Sequence, residues 1–206
     1  MGDLSQYHLE NGFKSGVFET LTQCIAMIME NAGTSFEQAT TMLDLPPEIA
    51  GIYREPVQKF DLNGISKLKC FLETKEEKCR YLKKTSSADL DDLRILATAM
   101  SYSQELLFYS SYERAVHIVK WYCITAFIEK SSAPFYQAIK VFGMTPEAAH
   151  ECRTKAEQYM PDHQREMILI FSIAISEGIP FYEVAKDFDF PQEQMDALCS
   201  MISSDD

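Results

Sequence analysis

The stretch "GIPFYEVAKDFDFPQEQMDAL", residues 178–198, has the form of a short helix, a tight turn and a second helix, and it occurs in recognisable form twice more. The other copies are "SFEQATTMLDLPPEIAGIY" at 35–53 and "PFYQAIKVFGMTPEAAHEC" at 134–152. Aligned on Phe36, Phe135 and Phe181, the third residue on is Ala39, Ala138 or Val184, and the seventh is Leu43, Phe142 or Phe188. The ninth is Leu45, Met144 or Phe190, and the twelfth is glutamate in all three: Glu48, Glu147 and Glu193. A turn-forming residue, Gly33, Ser132 or Gly178, stands three places before each phenylalanine.

Each position has a physical reason. An aromatic at zero, a small or branched residue at three and a large apolar residue at seven make one apolar stripe on a two-turn helix. Asp44, Gly143 or Asp189 then breaks it, and the next apolar residue plugs the corner. Pro46, Pro47, Pro146 or Pro191 starts the following helix, Thr145 is placed to cap its own, and the shared glutamate sits where the helix dipole favours an anion. Thr34 and Glu37 form a capping-box pattern for the first short helix, and Pro56 is expected to limit the helix after Pro47.

A longer apolar helix precedes each copy, at roughly 17–31, 114–129 and 164–176, so the units are helix triplets. Phe135 and Phe181 are 46 residues apart and Phe36 and Phe135 are 99 apart, close to twice that spacing. A degenerate fourth unit is one reading of the interval: "KLKCFLETKEEKCRYLKK" followed by "ADLDDLRILATAM", with Leu90 and Leu93 on the stripe and no corner or proline. The expected fold is all-α, with three or four triplet repeats of about 46 to 50 residues stacked as a bundle or short solenoid. The organisation expected along the chain is an N-terminal helical unit at 1–64, a basic helix and degenerate unit at 65–110, a helical unit at 111–160 and an acidic C-terminal unit at 161–206, together one domain. "MILIFSIAI" and "AVHIVKWYCITAF", with the only tryptophan, Trp121, are expected in the core.

The longest apolar run, Met167–Phe171 resumed at Ile173–Ile175, falls far short of a membrane span, and no charged n-region followed by an apolar stretch opens the chain. Six cysteines, Cys24, Cys70, Cys79, Cys123, Cys152 and Cys199, lie scattered among apolar neighbours without a C-x-x-C pair, as reduced core thiols do. A cytoplasmic location is expected. The net charge of -12 is uneven: residues 1–66 carry -6, residues 67–84 carry +4, residues 85–155 carry -1 and residues 156–206 carry -9. Free nucleic acid is a poor partner for such a surface, whereas a basic protein face is a suitable one. The basic helix 67–84 reads either as a solvated helix, with Glu76 and Arg80 at i,i+4, or as a cradle for phosphate or acidic protein.

The pattern F-x-x-A/V-x-x-x-apolar-D/G-apolar-x-P/Q-E resembles the helix-turn-helix family, most closely the degenerate short tails that follow bacterial nuclease-like and transposase-like domains. The resemblance covers about twenty residues per unit. It implies that the second helix of a unit enters the major groove and contacts bases and phosphates through basic and amide side chains. "QEQMDALCSMISSDD" after Pro191 has no lysine or arginine. "EIAGIYREPVQKF" after Pro47 sets Arg54 and Lys59 against Glu48 and Glu55. Only "EAAHECRTKAEQY", with His150, Arg153 and Lys155, carries a credible groove-facing set. DNA binding as a transcriptional regulator is therefore the second expectation rather than the first.

Glu147 and His150 form an E-x-x-H pair, the spacing used by helical di-iron proteins, but none of the other histidines, His8, His117 and His163, has a glutamate three residues before it. A helical metalloenzyme centred on this pair is the third expectation. Glu113 and His117 at i,i+4, and His150, Cys152 and His163 together, lack the paired close ligands of a structural zinc site. Asp89, Asp91 and Asp92 follow Ser86 and Ser87 at a helix start, where capping and the dipole explain them. No phosphate-binding glycine loop, nucleophile elbow or H-E-x-x-H is present, and no cofactor or catalytic residue is expected. The leading expectation is a non-enzymatic interaction protein whose acids Asp187, Asp189, Glu193 and Asp196 bind a basic protein surface, inhibiting a nucleic-acid-processing protein by mimicking nucleic acid in its groove.

Overall fold

The computed structural model describes the backbone at residues 2–60, 92–159, 163–187, 193 and 196. All the regular structure there is helical: α1 (Gly2–Asn31), α2 (Phe36–Met42), α3 (Pro47–Lys59), α4 (Asp92–Ser131), α5 (Phe135–Val141), α6 (Pro146–Tyr159), α7 (Gln164–Glu177) and α8 (Phe181–Asp187). The fold is an all-α bundle. Of the degenerate unit, residues 92–100, with Leu93, are the opening turns of the continuous helix α4, while its remainder, the basic stretch 67–84, Phe188, Asp189, Phe190, Cys70, Cys79 and Cys199 lie outside the described residues.

The sequence alignment reappears as backbone geometry. α2, α5 and α8 each begin on the aligned phenylalanine and run for seven residues. The residue three places earlier is left-handed in every case: Gly33 at φ 64, Ser132 at φ 57 and Gly178 at φ 68. A second left-handed residue closes α2 and α5, Asp44 at φ 53 and Gly143 at φ 59. Aspartate tolerates this region because its short side chain bonds locally, whereas a β-branched residue would be strained there. Pro47 and Pro146, eleven residues after their phenylalanines, then open α3 and α6.

Local details depart from the sequence reading in two places. Ser35, not Thr34, caps α2: its Oγ accepts from the Gln38 amide and the Gln38 side chain accepts from the Ser35 amide. Thr34 instead turns its hydroxyl back to the Ile28 carbonyl. Pro56 does not end α3, which continues to Lys59 and closes with the Phe60 amide donating to Val57. A proline removes only its own N–H bond, here the one that would go to the Ile52 carbonyl, and α3 carries that loss through its last turn. Thr145 caps α6 as expected, accepting from the Ala148 amide.

α1 and α4 form the spine and run parallel. Gly16 faces Tyr112 and Ala115, Glu19 accepts from the Tyr112 hydroxyl at 2.9 Å, and further along Cys24 meets Cys123. Gly16 and Ala115 stand equally far, twenty residues, before Phe36 and Phe135, and Cys24 and Cys123 both stand twelve before. Equivalent residues of the two units thus touch across the seam, as around a two-fold axis along the helices. The ends exchange contacts in the same way. Asn31 at the end of α1 donates to Val141 beside the second corner, while Lys130 near the end of α4 pairs with Asp44 in the first. The Tyr122 hydroxyl, buried, donates to Leu43 at 2.8 Å. Shared buried positions complete the match: Ala39 with Ala138, Leu43 with Phe142, Ala50 with Ala149, Tyr53 with Cys152 and Val57 with Ala156.

α7 lies against α1, α3 and α4, and its "MILIF" run is buried throughout. Phe171 stacks on Phe181 of α8, with ring centroids 5.1 Å apart, and packs tilted against Phe13 of α1 at 4.8 Å. Ser172, which interrupts the apolar run, donates to Ile168 at 2.7 Å. Its oxygen is then left to accept from the Tyr53 hydroxyl at 2.6 Å, giving the fully buried Tyr53 its partner. Trp121, expected in the core, is only half-buried and packs against its edge.

Candidate interaction surface

The chemistry of the surface follows from which charges the fold uses. α2 and α3 are clasped by Arg54, whose guanidinium donates to Glu37 at 2.9 Å and lies 4.6 Å from the centroid of Phe36. Lys59 pairs with Glu55 one turn back. Asp44 collects Lys130 at 2.9 Å and Arg165 at 2.8 Å, tying the first corner to α4 and α7, and the Lys130 hydrogen bond holds its carboxyl below the usual aspartate range. On α6, Arg153 donates to Glu157 at 2.7 Å, and Lys155 reaches Glu151 at 3.4 Å and Glu113 at 3.8 Å.

The residues of the DNA-binding expectation are therefore placed as follows. His150 is exposed on α6, while Arg153 and Lys155 point at carboxylates of α6 and α4. Arg153 also lies 5.7 Å from the Trp121 ring. Glu147 sits exposed in the first turn of α6, its carboxyl lowered by its own backbone amide and by Thr145, a helix-start role. Among the described residues no group of three or more histidine, cysteine, aspartate and glutamate side chains is arranged to hold a metal ion.

Glu113 and His117 meet α6 in a charged seam. His117 Nδ1 is 2.7 Å from the Glu113 carbonyl and Nε2 is 3.9 Å from Glu151. With Nδ1 protonated, that nitrogen donates to the carbonyl and Nε2 keeps its lone pair. Burial pushes the imidazole pKa below its ordinary value. Cys152 is buried nearby with its thiol pushed up to about 11, also by burial, which keeps it protonated and unreactive. Cys123 is likewise raised by burial.

A groove of about 600 Å³ runs between α1 and the α7–α8 turn. Lys14 and Glu10 lie in it, 2.7 Å apart and mostly buried. Glu10 also accepts from the Phe181 amide at 3.2 Å and Lys14 donates to the Ile179 carbonyl at 3.1 Å, so the pair staples the start of α8 to α1. The Glu-to-Lys spacing of one helical turn reads in sequence as a surface pair, which hid this role.

Asp187 is the last residue of α8, Glu193 and Asp196 are exposed at helical positions beyond it, and Asp189 lies outside the described residues. Glu183 of α8 is exposed beside them in sequence. Among the described residues no ion pair forms at Glu30, Glu48, Glu129, Glu147, Glu177, Glu183 or Glu193, all exposed. Among the described residues no helix is long and apolar enough to cross a membrane. No protein-family model, curated protein or solved structure matches the chain.

Proposed function

We propose that the chain is a non-enzymatic interaction module that presents an acidic helical surface to a basic face of a protein partner, of the kind that otherwise holds nucleic acid. The observation that carries this reading is the allocation of charge. Arg54, Lys59, Lys130, Arg153, Lys155 and Arg165 are each engaged by a carboxylate of the same chain, while among the described residues the exposed Glu30, Glu48, Glu129, Glu147, Glu177, Glu183 and Glu193 form no ion pair and outnumber the exposed lysines without one, Lys140 and Lys186. A surface of that kind repels phosphate and attracts a partner rich in lysine and arginine. Docking in a nucleic-acid groove would exclude the nucleic acid by occupancy, which makes inhibition the expected consequence.

Affinity capture from the native host tests the reading with two baits, the natural chain and a Glu193→Lys/Asp196→Lys variant. Retention of basic proteins that weakens as salt rises, and that the variant loses with helicity intact, is the expected result. Equal capture by both baits would overturn the assignment of these acids. Retardation of duplex DNA by the natural chain at low salt would favour groove reading through His150, Arg153 and Lys155 instead.

A further inference from the structure

The two equivalent units cover their leading phenylalanine differently. Phe36 and Phe181 are buried, at 8 % and 1 % exposure, but Phe135 is 44 % exposed and the adjoining Tyr136 is 64 % exposed. The cause lies in one substitution within the repeat. In the first unit, Arg54 stands eighteen residues after Phe36 and covers its ring, held there by Glu37. Arg153 stands eighteen residues after Phe135, yet Tyr136 replaces the anchoring glutamate. With no carboxylate there, Arg153 turns to Glu157 and Trp121, and Phe135 loses its cover. Among the described residues no cation lies over either exposed ring.

We infer that the Phe135–Tyr136 face of α5 receives an arginine side chain from the basic partner, seated on Phe135 as Arg54 is seated on Phe36. This rests on the proposed function and names the group that its partner must present. Arginine fits better than lysine because a planar guanidinium stacks on an aromatic face as well as being attracted to it. Glu129 in the last turns of α4 and Glu147 in the first turn of α6, both exposed and without an ion pair among the described residues, bracket α5 in the chain. With Lys130 taken up by Asp44, they outnumber the exposed Lys140 that α5 itself carries, which leaves carboxylate in excess towards a cation.

The test uses arginine and lysine homopeptides of equal length, titrated into the full chain at low salt while backbone amide NMR signals are followed. The arginine peptide is expected to bind more tightly and to shift the signals of Phe135 and Tyr136. Phe135→Ala and Tyr136→Ala should each weaken it about threefold and reduce the preference over lysine, while lysine-peptide binding is kept. Equal binding of the two peptides, with shifts elsewhere on the acidic surface, would overturn the arginine seat and leave the acidic-surface reading intact. No binding of either peptide would overturn both. Signals at Phe135 and Tyr136 that move with the concentration of the chain alone would assign the face to a second copy and likewise overturn the inference.

Discussion

Replacing Gly16 by alanine probes the spine directly. A Cβ on Gly16 would stand 2.6 Å from the Tyr112 carbonyl oxygen and 2.7 Å from the Ala115 Cβ. Carbon atoms in good contact lie about 3.5 Å or more apart, so the two helices would have to part by about 0.8 Å over the seam. One obstacle is backbone and the other a short methyl, and neither can swing away. The cost belongs at the upper end of the overpacking range, about 3 kcal/mol, offset by about 1 kcal/mol of helix propensity gained on replacing glycine. A net loss of about 2 kcal/mol lowers Tm by about 4–8 °C in a chain of this size. Gly51 on α3 supplies the control, since a Cβ there meets nothing within 4 Å. Gly51→Ala is expected to stabilise by about 1 kcal/mol through propensity alone. Urea unfolding followed by circular dichroism gives both values. Equal stabilisation by the two variants would refute the close parallel approach of α1 and α4.

Further outcomes follow from named contacts. Ser172→Ala strands the buried Tyr53 hydroxyl and should cost about 1–3 kcal/mol, more than the roughly 1 kcal/mol of Tyr53→Phe, with the double variant below the sum; additive losses in unfolding titrations would argue against the bond. Asp44→Asn should keep its left-handed corner, whereas Asp44→Ala should add about 1 kcal/mol of backbone strain, read as a lower denaturation midpoint. Because the folded Asp44 carboxyl is depressed, its contribution is present above its unfolded pKa and fades as pH falls through the folded value; Asp44→Asn should flatten that acid limb of stability. His117 shifts the same way for a different reason: burial disfavours the cation, so the unfolded chain takes up the proton first and stability falls as pH drops below about 6.5. His117→Gln should remove that part of the pH profile, and an unchanged profile would place the titration elsewhere.

Much of the framework was legible in the sequence because it is made of local rules. Gly33, Ser132 and Gly178 mark left-handed turns, and the aligned phenylalanines mark helix starts to the residue. What was not legible depends on partners distant in the chain. Thr34 and Ser35 are chemically alike, and only the direction of approach from α1 decides which one caps. α1 and α4 reach far beyond the apolar segments expected of them, because Gly16 against Ala115 lets their backbones stay close along a seam that local periodicity does not reveal. The exposure of Phe135 was hidden because the stripe pattern gives all three phenylalanines the same face, and the deciding residue, Tyr136 in place of Glu37, acts through Arg153. Likewise His150, Arg153 and Lys155 read as a free basic set until Glu157, Glu151 and Glu113 are seen beside the two cations.

The most direct measurement is a side-by-side titration of the natural chain with labelled duplex DNA and with a labelled arginine homopeptide across a salt series. The peptide is expected to bind at low salt and to be released as salt rises, with no DNA bound at any concentration tested. DNA binding at low salt, with the peptide left free, would contradict an acidic protein-docking surface.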